Sequence, residues 1–228
     1  MPLDFPQDIA TQLLQILAEK MYNGEFGTAR ELAYQFLDIN GVQHANRGDW
    51  FEPTKIMDVF RSTSVAIQQL CRLSIRKTAH CASCPNMETL KDLIGIHLLE
   101  PTKPTTVQHL IDEFFQDENL SCSKCLNLRA KEKSVTEVPQ ILHLFINRRT
   151  RHSLPYGVTP SLQIELGGSM FKLTSYGLYD GSHHWCRLHF NEKSYHYDGY
   201  PQCQFFEIPE KDLITESNQI SFVIYSRI

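Results

Sequence analysis

The sequence contains two short cysteine pairs, Cys81-Ala82-Ser83-Cys84 and Cys122-Ser123-Lys124-Cys125. Each pair has the C-x-x-C spacing of a hairpin knuckle, and two such knuckles can place four thiolates tetrahedrally around one zinc ion. Because four thiolates leave no open coordination position, the pattern predicts a structural zinc ion rather than a catalytic one. The residues between the pairs outnumber those of a compact zinc ribbon, so this part of the chain must fold back to bring the knuckles together. The same cysteines could instead be a redox dithiol and unrelated thiols.

The composition is that of a globular protein. The chain has 228 residues, 42% of them hydrophobic, and a net charge of -4. This charge argues against a partner such as nucleic acid, which requires a basic surface. No apolar run reaches the roughly 18 residues of a membrane span, and the N-terminus lacks the cationic start and apolar stretch of a signal peptide. With seven cysteines and no sign of secretion, metal ligation is expected in a nuclear or cytoplasmic protein.

Helical patterns occupy the first part of the sequence. Residues 7 to 22 space their apolar groups as one helical stripe, and Gly24 follows as a stop. The segment Thr28-Ala29-Arg30-Glu31 has the spacing of a capping box and is predicted to open a second helix that ends before Gly41. A third short helix is predicted after Pro53.

The period then changes to that of strands. Apolar and polar residues alternate from Cys71 to Arg76, and one further helix fits Thr106 to Phe115. Strands are predicted at 141–146, 161–166, 171–178, 185–190, 194–197 and 220–225. A helical part followed by a mainly β part indicates the α+β class.

The residues around the second cysteine pair resemble a known family. Glu118-Asn119-Leu120 precedes the pair, and Ala130-Lys131 and the segment 138–144 follow it. This arrangement is similar to the zinc-binding fingers of the ubiquitin-specific proteases and to the strand that leads from them into the palm.

A third block extends the resemblance. Phe171-Lys172-Leu173, Ser182-His183-His184-Trp185 and His196-Tyr197-Asp198-Gly199 resemble the histidine box of that family. The resemblance implies that His184 is the general base and that Asp198 orients its ring, as in a nucleophile, base and orienter arrangement. His183 stands where the family has glycine.

The catalytic cysteine of the family has no counterpart in this sequence. Ala29-x-Glu31-Leu32 resembles the helix that the family places after its catalytic cysteine, yet no cysteine precedes Cys71. Cys186 follows His184 by two residues on a predicted strand, about 6.6 Å away and beyond hydrogen-bond reach. Cys71 and Cys203 are interpreted as packing residues. We therefore expect a fragment or a pseudo-enzyme without hydrolase activity.

The resemblance implies a papain-like cysteine protease fold of the ubiquitin-specific type. Residues 1–65 would form a truncated helical thumb, 66–134 the zinc fingers, and 135–228 an antiparallel β palm. The implied partner is ubiquitin or a ubiquitin-like modifier, the family reaction is thiol-dependent isopeptide hydrolysis, and a monomer is expected.

Two alternatives remain open at this point. The His184-Trp185 pair without the family glycine also resembles the divergent branch that cleaves small ubiquitin-like modifiers of the SUMO type. The other alternative is a zinc-stabilised module for protein interactions, in which the palm only scaffolds a partner.

Overall fold

The chain forms two compact units, Met1–Cys71 and Arg72–Ile228. The structure, a computed structural model, describes residues 8–42, 53–81, 83–84, 87–94, 96–98, 100–116, 118–122, 124–146, 156–190, 192–198, 204–215 and 217–228. Among these residues, no helix is both long and apolar enough to cross a membrane.

The first unit is helical. Its helices are α1 (Ile9–Tyr22), α2 (Phe26–Ile39), α3 (Pro53–Thr63) and α4 (Val65–Leu70). A small core forms around Ala10, Phe36, Phe60 and Ile67, with the rings of Phe36 and Phe60 stacked at 4.9 Å. The three predicted helices are confirmed. Helix α4 was not predicted, because its six residues are too few to show a helical period.

The predicted capping box at Thr28 is wrong. Helix α2 already begins at Phe26, and its N-cap is Glu25, which makes no side-chain capping bond. Gly24 adopts φ +76°, and the amide of Glu25 donates to the carbonyl of Lys20 at 2.8 Å. This tight turn starts the second helix earlier than a hydroxyl cap at Thr28 would allow, so Thr28 lies inside the helix.

The second unit contains a four-stranded sheet that carries the cysteine pairs. Its strands are β1 (Ser74–Cys81), β2 (Met87–Ile94), β5 (Glu118–Ser121) and β6 (Leu128–Glu137), in the order β2-β1-β6-β5. We call it the finger sheet. Of these strands only the start of β1 was predicted. The charged residues of β2 and β6 hide their alternation, so the pattern of these strands depends on pairing within the sheet.

The larger sheet of this unit is mainly antiparallel. Its strands are β3 (Ile96–Leu98), β7 (Ile141–Ile146), β9 (Gln163–Leu166), β10 (Ser169–Tyr179), β11 (His184–Phe190), β12 (Lys193–Asp198), β13 (Gln204–Ile208) and β14 (Ile220–Arg227). The order is β13-β12-β11-β10-β14-β7-β3, with β9 paired to β10 and only β3 parallel to its neighbour. The six strands predicted here are confirmed within a few residues, and we call this sheet the palm sheet.

One helix joins the two sheets. Helix α5 (Val107–Phe115) begins after Thr106, whose hydroxyl accepts from the amide of His109 at 3.2 Å. The helix buries Val107, Leu110 and Ile111 in a core shared with the palm sheet. At its other end, the ammonium of Lys133 on β6 donates to the carbonyl of Phe114 and lies 4.5 Å from the centre of that ring. The helix predicted at Thr106 to Phe115 is therefore confirmed. A short parallel pair, β4 (Thr105–Thr106) with β8 (Val158–Thr159), adjoins it.

The α+β class agrees with the mixed helical and antiparallel architecture. The finer division into 1–65, 66–134 and 135–228 stays a prediction. The described elements show that residues 65–70 continue the helical unit and that β6 is one strand across the second predicted limit.

Candidate functional site

Strand pairing brings the two cysteine pairs together. Strand β6 pairs with β1 on one side and with β5 on the other. Its first residues lie opposite the ends of both partners: Cys81 pairs with Arg129, and Ser121 pairs with Leu128. Cys81 and Cys122 therefore reach the same end of the finger sheet, although 40 positions separate them in the sequence.

The four sulfur atoms have the spacing of a zinc site. The Sγ atoms of Cys81 and Cys125 are 3.4 Å apart, and those of Cys84 and Cys122 are 3.7 Å apart. All four ligand atoms lie within 4.8 Å of one another. A tetrahedron with Zn–S bonds of about 2.3 Å has edges of about 3.8 Å, close to these distances. The four cysteines thus form a site that could hold one zinc ion, as the sequence predicts.

The second knuckle has a backbone suited to metal binding. The amide of Cys122 donates to the carbonyl of Asn127 at 2.8 Å, and the amide of Leu126 donates to the carbonyl of Cys122 at 2.9 Å. Leu126 adopts φ 62°, a left-handed conformation that turns the chain back after Cys125. Burial, followed by the neighbouring thiols, raises the pKa of Cys84 to about 12. A zinc ion would reverse this preference, since it binds the thiolate and releases the proton.

A tight turn fixes the backbone before β11. The carboxylate of Asp180 accepts hydrogen bonds from the amide of Ser182, the hydroxyl of Ser182 and the amide of His183, at 2.8 to 2.9 Å. These bonds lower the pKa of the Asp180 carboxyl. The hydroxyl of Tyr179 also donates to the carbonyl of Gly181 at 2.8 Å. The turn therefore holds His183 at the entry of the strand.

The structure places His183 against Asp198. The Nε2 atom of His183 lies 2.6 Å from Oδ1 of Asp198, and the exposed fractions of the two side chains are 29% and 17%. The ring of Trp185 stacks on His183 with centroids 5.9 Å apart. A carboxylate in this position can fix the orientation of an imidazole and stabilise its protonated form.

The sequence predicts this hydrogen bond for His184 instead. Strands β11 and β12 pair so that Cys186 lies opposite Tyr197 and Arg187 opposite His196. Directly opposed residues share a face, and alternate residues of one strand share a face. Asp198 therefore shares its face with residues 183, 185 and 187. His184 points to the other face, where its ring stacks on Tyr179 at 4.4 Å.

The difference between the predicted contact of His184 and the observed contact of His183 has an identifiable cause. The family resemblance favours His184. In this register, however, a residue of β11 shares a face with Asp198 only if the difference between their residue numbers is odd. The difference between 184 and 198 is even. If the turn of the hairpin had been predicted at residues 191 and 192, the sequence would have indicated His183. The catalytic role assigned to His184 and Asp198 stays a prediction.

The other cysteines are poorly placed for nucleophilic chemistry. Burial, together with the charge of Asp198, raises the pKa of the Cys186 thiol to about 12. Cys186 also lies on the face opposite Asp198. Cys71 packs against the core of the helical unit, where burial raises its pKa. Cys203 and Gly199 lie outside the described residues.

Sequence comparison finds no relative: no family model matches the chain, and no curated protein matches it. The fold does resemble solved structures. One is a chain of the SAGA DUB module with a variant of Ubp8, Sgf11(1-72, Delta-ZnF), Sus1 and Sgf73. The TM-score is 0.60 and the identity is 13%, over 79% of this chain and 46% of that chain.

Another similar structure is a SAGA DUB module of a second Ubp8 variant, Sgf11, Sus1 and Sgf73 bound to monoubiquitin. Its TM-score is 0.59 and its identity 12%, over 90% of this chain and 48% of that chain. The chain thus spans about half the length of the structures it resembles. The likeness supports a fold of the ubiquitin-specific-protease type.

Proposed function

We propose that this chain is a ubiquitin-specific-protease-like domain that binds ubiquitin or a ubiquitin-like modifier. The observation that supports the proposal best is the contact of His183 with Asp198, at 2.6 Å, in a fold that resembles a DUB module. The cysteine centre lies in the same compact unit, as the family resemblance implies. A zinc-stabilised finger sheet and a polar pair on the palm sheet would then be two parts of one modifier-binding domain.

The proposed role of the pair is that of a base and its orienter. Asp198 accepts from Nε2 of His183, so Nδ1 is the ring nitrogen that would take a proton from a reacting group. The carboxylate would stabilise the resulting imidazolium without taking the proton itself. This assignment replaces His184 by His183 and keeps Asp198.

We propose further that the chain alone does not hydrolyse the modifier bond. Covalent catalysis requires a thiolate within reach of the base. Among the described cysteines, four belong to the candidate zinc centre, Cys71 is packed in the helical unit, and Cys186 has a pKa of about 12. The chain would then recognise the modifier without cleaving it.

Binding measurements test the function. Calorimetric titration with ubiquitin and, separately, with SUMO should show saturable binding of one of them. If His183 and Asp198 contact the modifier tail, ubiquitin with its C-terminal residues removed should bind more weakly. His183→Ala should weaken binding, whereas His109→Ala, on the exposed side of α5, should not. Absence of binding to either modifier by zinc-loaded protein would refute the proposal and leave the scaffold alternative.

A further inference from the structure

Arg187 has no ion-pair partner among the described residues of the palm sheet. It lies on β11, on the same face as His183 and Asp198. Its Nη1 atom lies 3.0 Å from Nδ1 of His196, while its Nε atom is buried with no hydrogen-bond partner. Within the part of the chain that the structure describes, no carboxylate lies within 4.0 Å of the guanidinium.

The groups in direct contact with this guanidinium are neutral. Arginine can only donate, so Nδ1 of His196 must accept and the ring carries its proton on Nε2. Burial, followed by the charge of Arg187, lowers the pKa of His196, which favours the same neutral form. On the other side stands Tyr176, whose buried hydroxyl lies 3.4 Å from that of Thr215.

The site lies at the rim of the core. The palm core extends over this face as far as Tyr176, Leu178 and the partly buried Trp185. Beyond them, His196 is half-buried and its ring lies 5.0 Å from that of Phe206, which is 49% exposed. Arg187 and His196 are thus partly exposed at this edge of the core.

The guanidinium of Arg187 lacks an acceptor for its Nε–H group. Holding a guanidinium among neutral groups forfeits part of its hydration, and an unmet donor adds to that cost. A carboxylate would offset both. Nη1 faces His196 and the hydroxyl of Tyr176 also interacts with the guanidinium, so Nε is the N–H group left to donate a charge-assisted hydrogen bond to a carboxylate oxygen. Nε is shielded from solvent, so the side chains that cover it must move before a carboxylate can reach it.

We propose that Arg187 is the anchor of a carboxylate-binding subsite, one step along the sheet from His183 and Asp198. The carboxylate it would take is the free C-terminus of the modifier tail. This assignment of the ligand rests on the proposed function, whereas the preference for a carboxylate does not. The chain would then favour a released modifier over one joined through an amide.

Nuclear magnetic resonance of the whole, zinc-loaded chain can test the subsite directly. The Nε–Hε signal of Arg187 is a suitable reporter because the atom is buried. N-acetylglycylglycine should shift this signal saturably, whereas its C-terminal amide should not. Arg187→Gln should weaken binding of the acid by roughly ten- to a hundredfold, and Arg187→Lys should recover only part of it. Arg227→Gln, an exposed arginine on β14, is the matched control and should bind as the native chain does.

The outcomes separate the two proposals. No saturable shift with the acid, or equal shifts with acid and amide, would overturn the subsite. A second titration compares ubiquitin with a free C-terminus and ubiquitin amidated there. Equal affinity for both would retain modifier binding and reject Arg187 as the anchor. Binding of the small acid without binding of any modifier would keep the subsite and reject the proposed function. If Arg187→Gln were to unfold, the acid and amide comparison on the native chain would still decide.

Discussion

At the scale of single residues, Gly177 shows how closely the palm strands pack. Gly177 on β10 pairs with Phe222 on β14, and a Cβ atom at Gly177 would lie 2.1 Å from Cε1 of that ring. The ring thus occupies the space above the glycine. No side chain fits there unless the ring moves.

We therefore expect Gly177→Ala to destabilise the protein by about 1–3 kcal/mol, the usual cost of overpacking. Chemical denaturation followed by tryptophan fluorescence would measure it, since Trp185 packs against the same core. Gly27→Ala in α2 is the control, because nothing lies within 4 Å of the added methyl group, and it should leave stability unchanged or raise it. An unchanged midpoint for Gly177→Ala would show that Phe222 is free to rotate away.

His196 should make stability sensitive to mild acid. Its folded pKa lies below the ordinary value of 6.5, so the native state resists a proton that the unfolded chain accepts. The stability is complete above pH 6.5 and falls as the pH drops through that value. His196→Gln keeps an acceptor for Arg187 but cannot titrate.

The unfolding free energy of His196→Gln should accordingly fall less than that of the native chain between pH 7.5 and pH 5.5. Denaturant titrations at several pH values would measure both slopes. Equal slopes would mean that His196 titrates alike in the folded and unfolded states.

Sequence reasoning succeeded unevenly at this scale. The four cysteines were predicted because C-x-x-C spacing is local and reflects metal geometry directly. The contact of Asp198 with His183 was not predicted, because it depends on the register between two strands, which a family-like motif does not encode. Arg187 gives no local signal either, since its environment arises only when β10, β11 and β12 lie side by side.

At the scale of elements, the finger sheet depends on its metal. Strands β1, β6 and β5 end at the cysteine centre, and the metal would join β1 to the turn after β5. A structural zinc ion contributes on the order of 10 kcal/mol to the folding of small modules. The finger strands should be more sensitive to its removal than the palm strands.

Cys122→Ser should lose the bound zinc ion and lower thermal stability. Metal analysis and hydrogen exchange would measure the effect, with protection lost first in β1, β5 and β6 and retained in β10 and β14. Ser83→Ala, an exposed position inside the first knuckle, should keep both the metal and the protection. Freshly reduced native protein without zinc would contradict the assignment.

The start of α5 offers a second test at this scale. The hydroxyl of Thr106 caps the amide of His109, so Thr106→Ala should cost about 1 kcal/mol. Thr106→Ser keeps the oxygen and should lose much less. Thermal unfolding of the two variants side by side would measure the difference, and similar losses would assign the effect to the methyl group.

The helices were predicted better than the strands. Helix α5 shows its apolar stripe and its cap within a dozen residues, whereas β2, β3, β5, β6 and β13 were missed. Several of these strands are short or highly charged, and they form because a neighbour satisfies their backbone groups. Such pairing is a property of the sheet and leaves little trace in a single segment.

At the scale of the whole molecule, each unit has its own core. The larger core lies entirely within residues 72–228, and the smaller one entirely within residues 1–71. The cysteine centre, His183, Asp198 and Arg187 all belong to the larger unit.

Residues 72–228 expressed alone should therefore fold, bind one zinc ion and keep the proposed carboxylate subsite. Cooperative thermal unfolding and the N-acetylglycylglycine titration would show this. A fragment that is soluble but unfolds without cooperativity would mean that the larger unit requires the helical one.

The alternation of faces along β11 and β12 also bears on how this hairpin tolerates change in length. Inserting one residue into β12 between Tyr195 and His196 would carry Asp198 to the face of His184 and separate it from His183. Inserting two residues would return the carboxylate to its original face, one pleat further along. Deletion variants should obey the same rule of even and odd numbers. Whichever of the two adjacent histidines contacts the carboxylate would then report whether the hairpin has gained or lost an even or an odd number of residues.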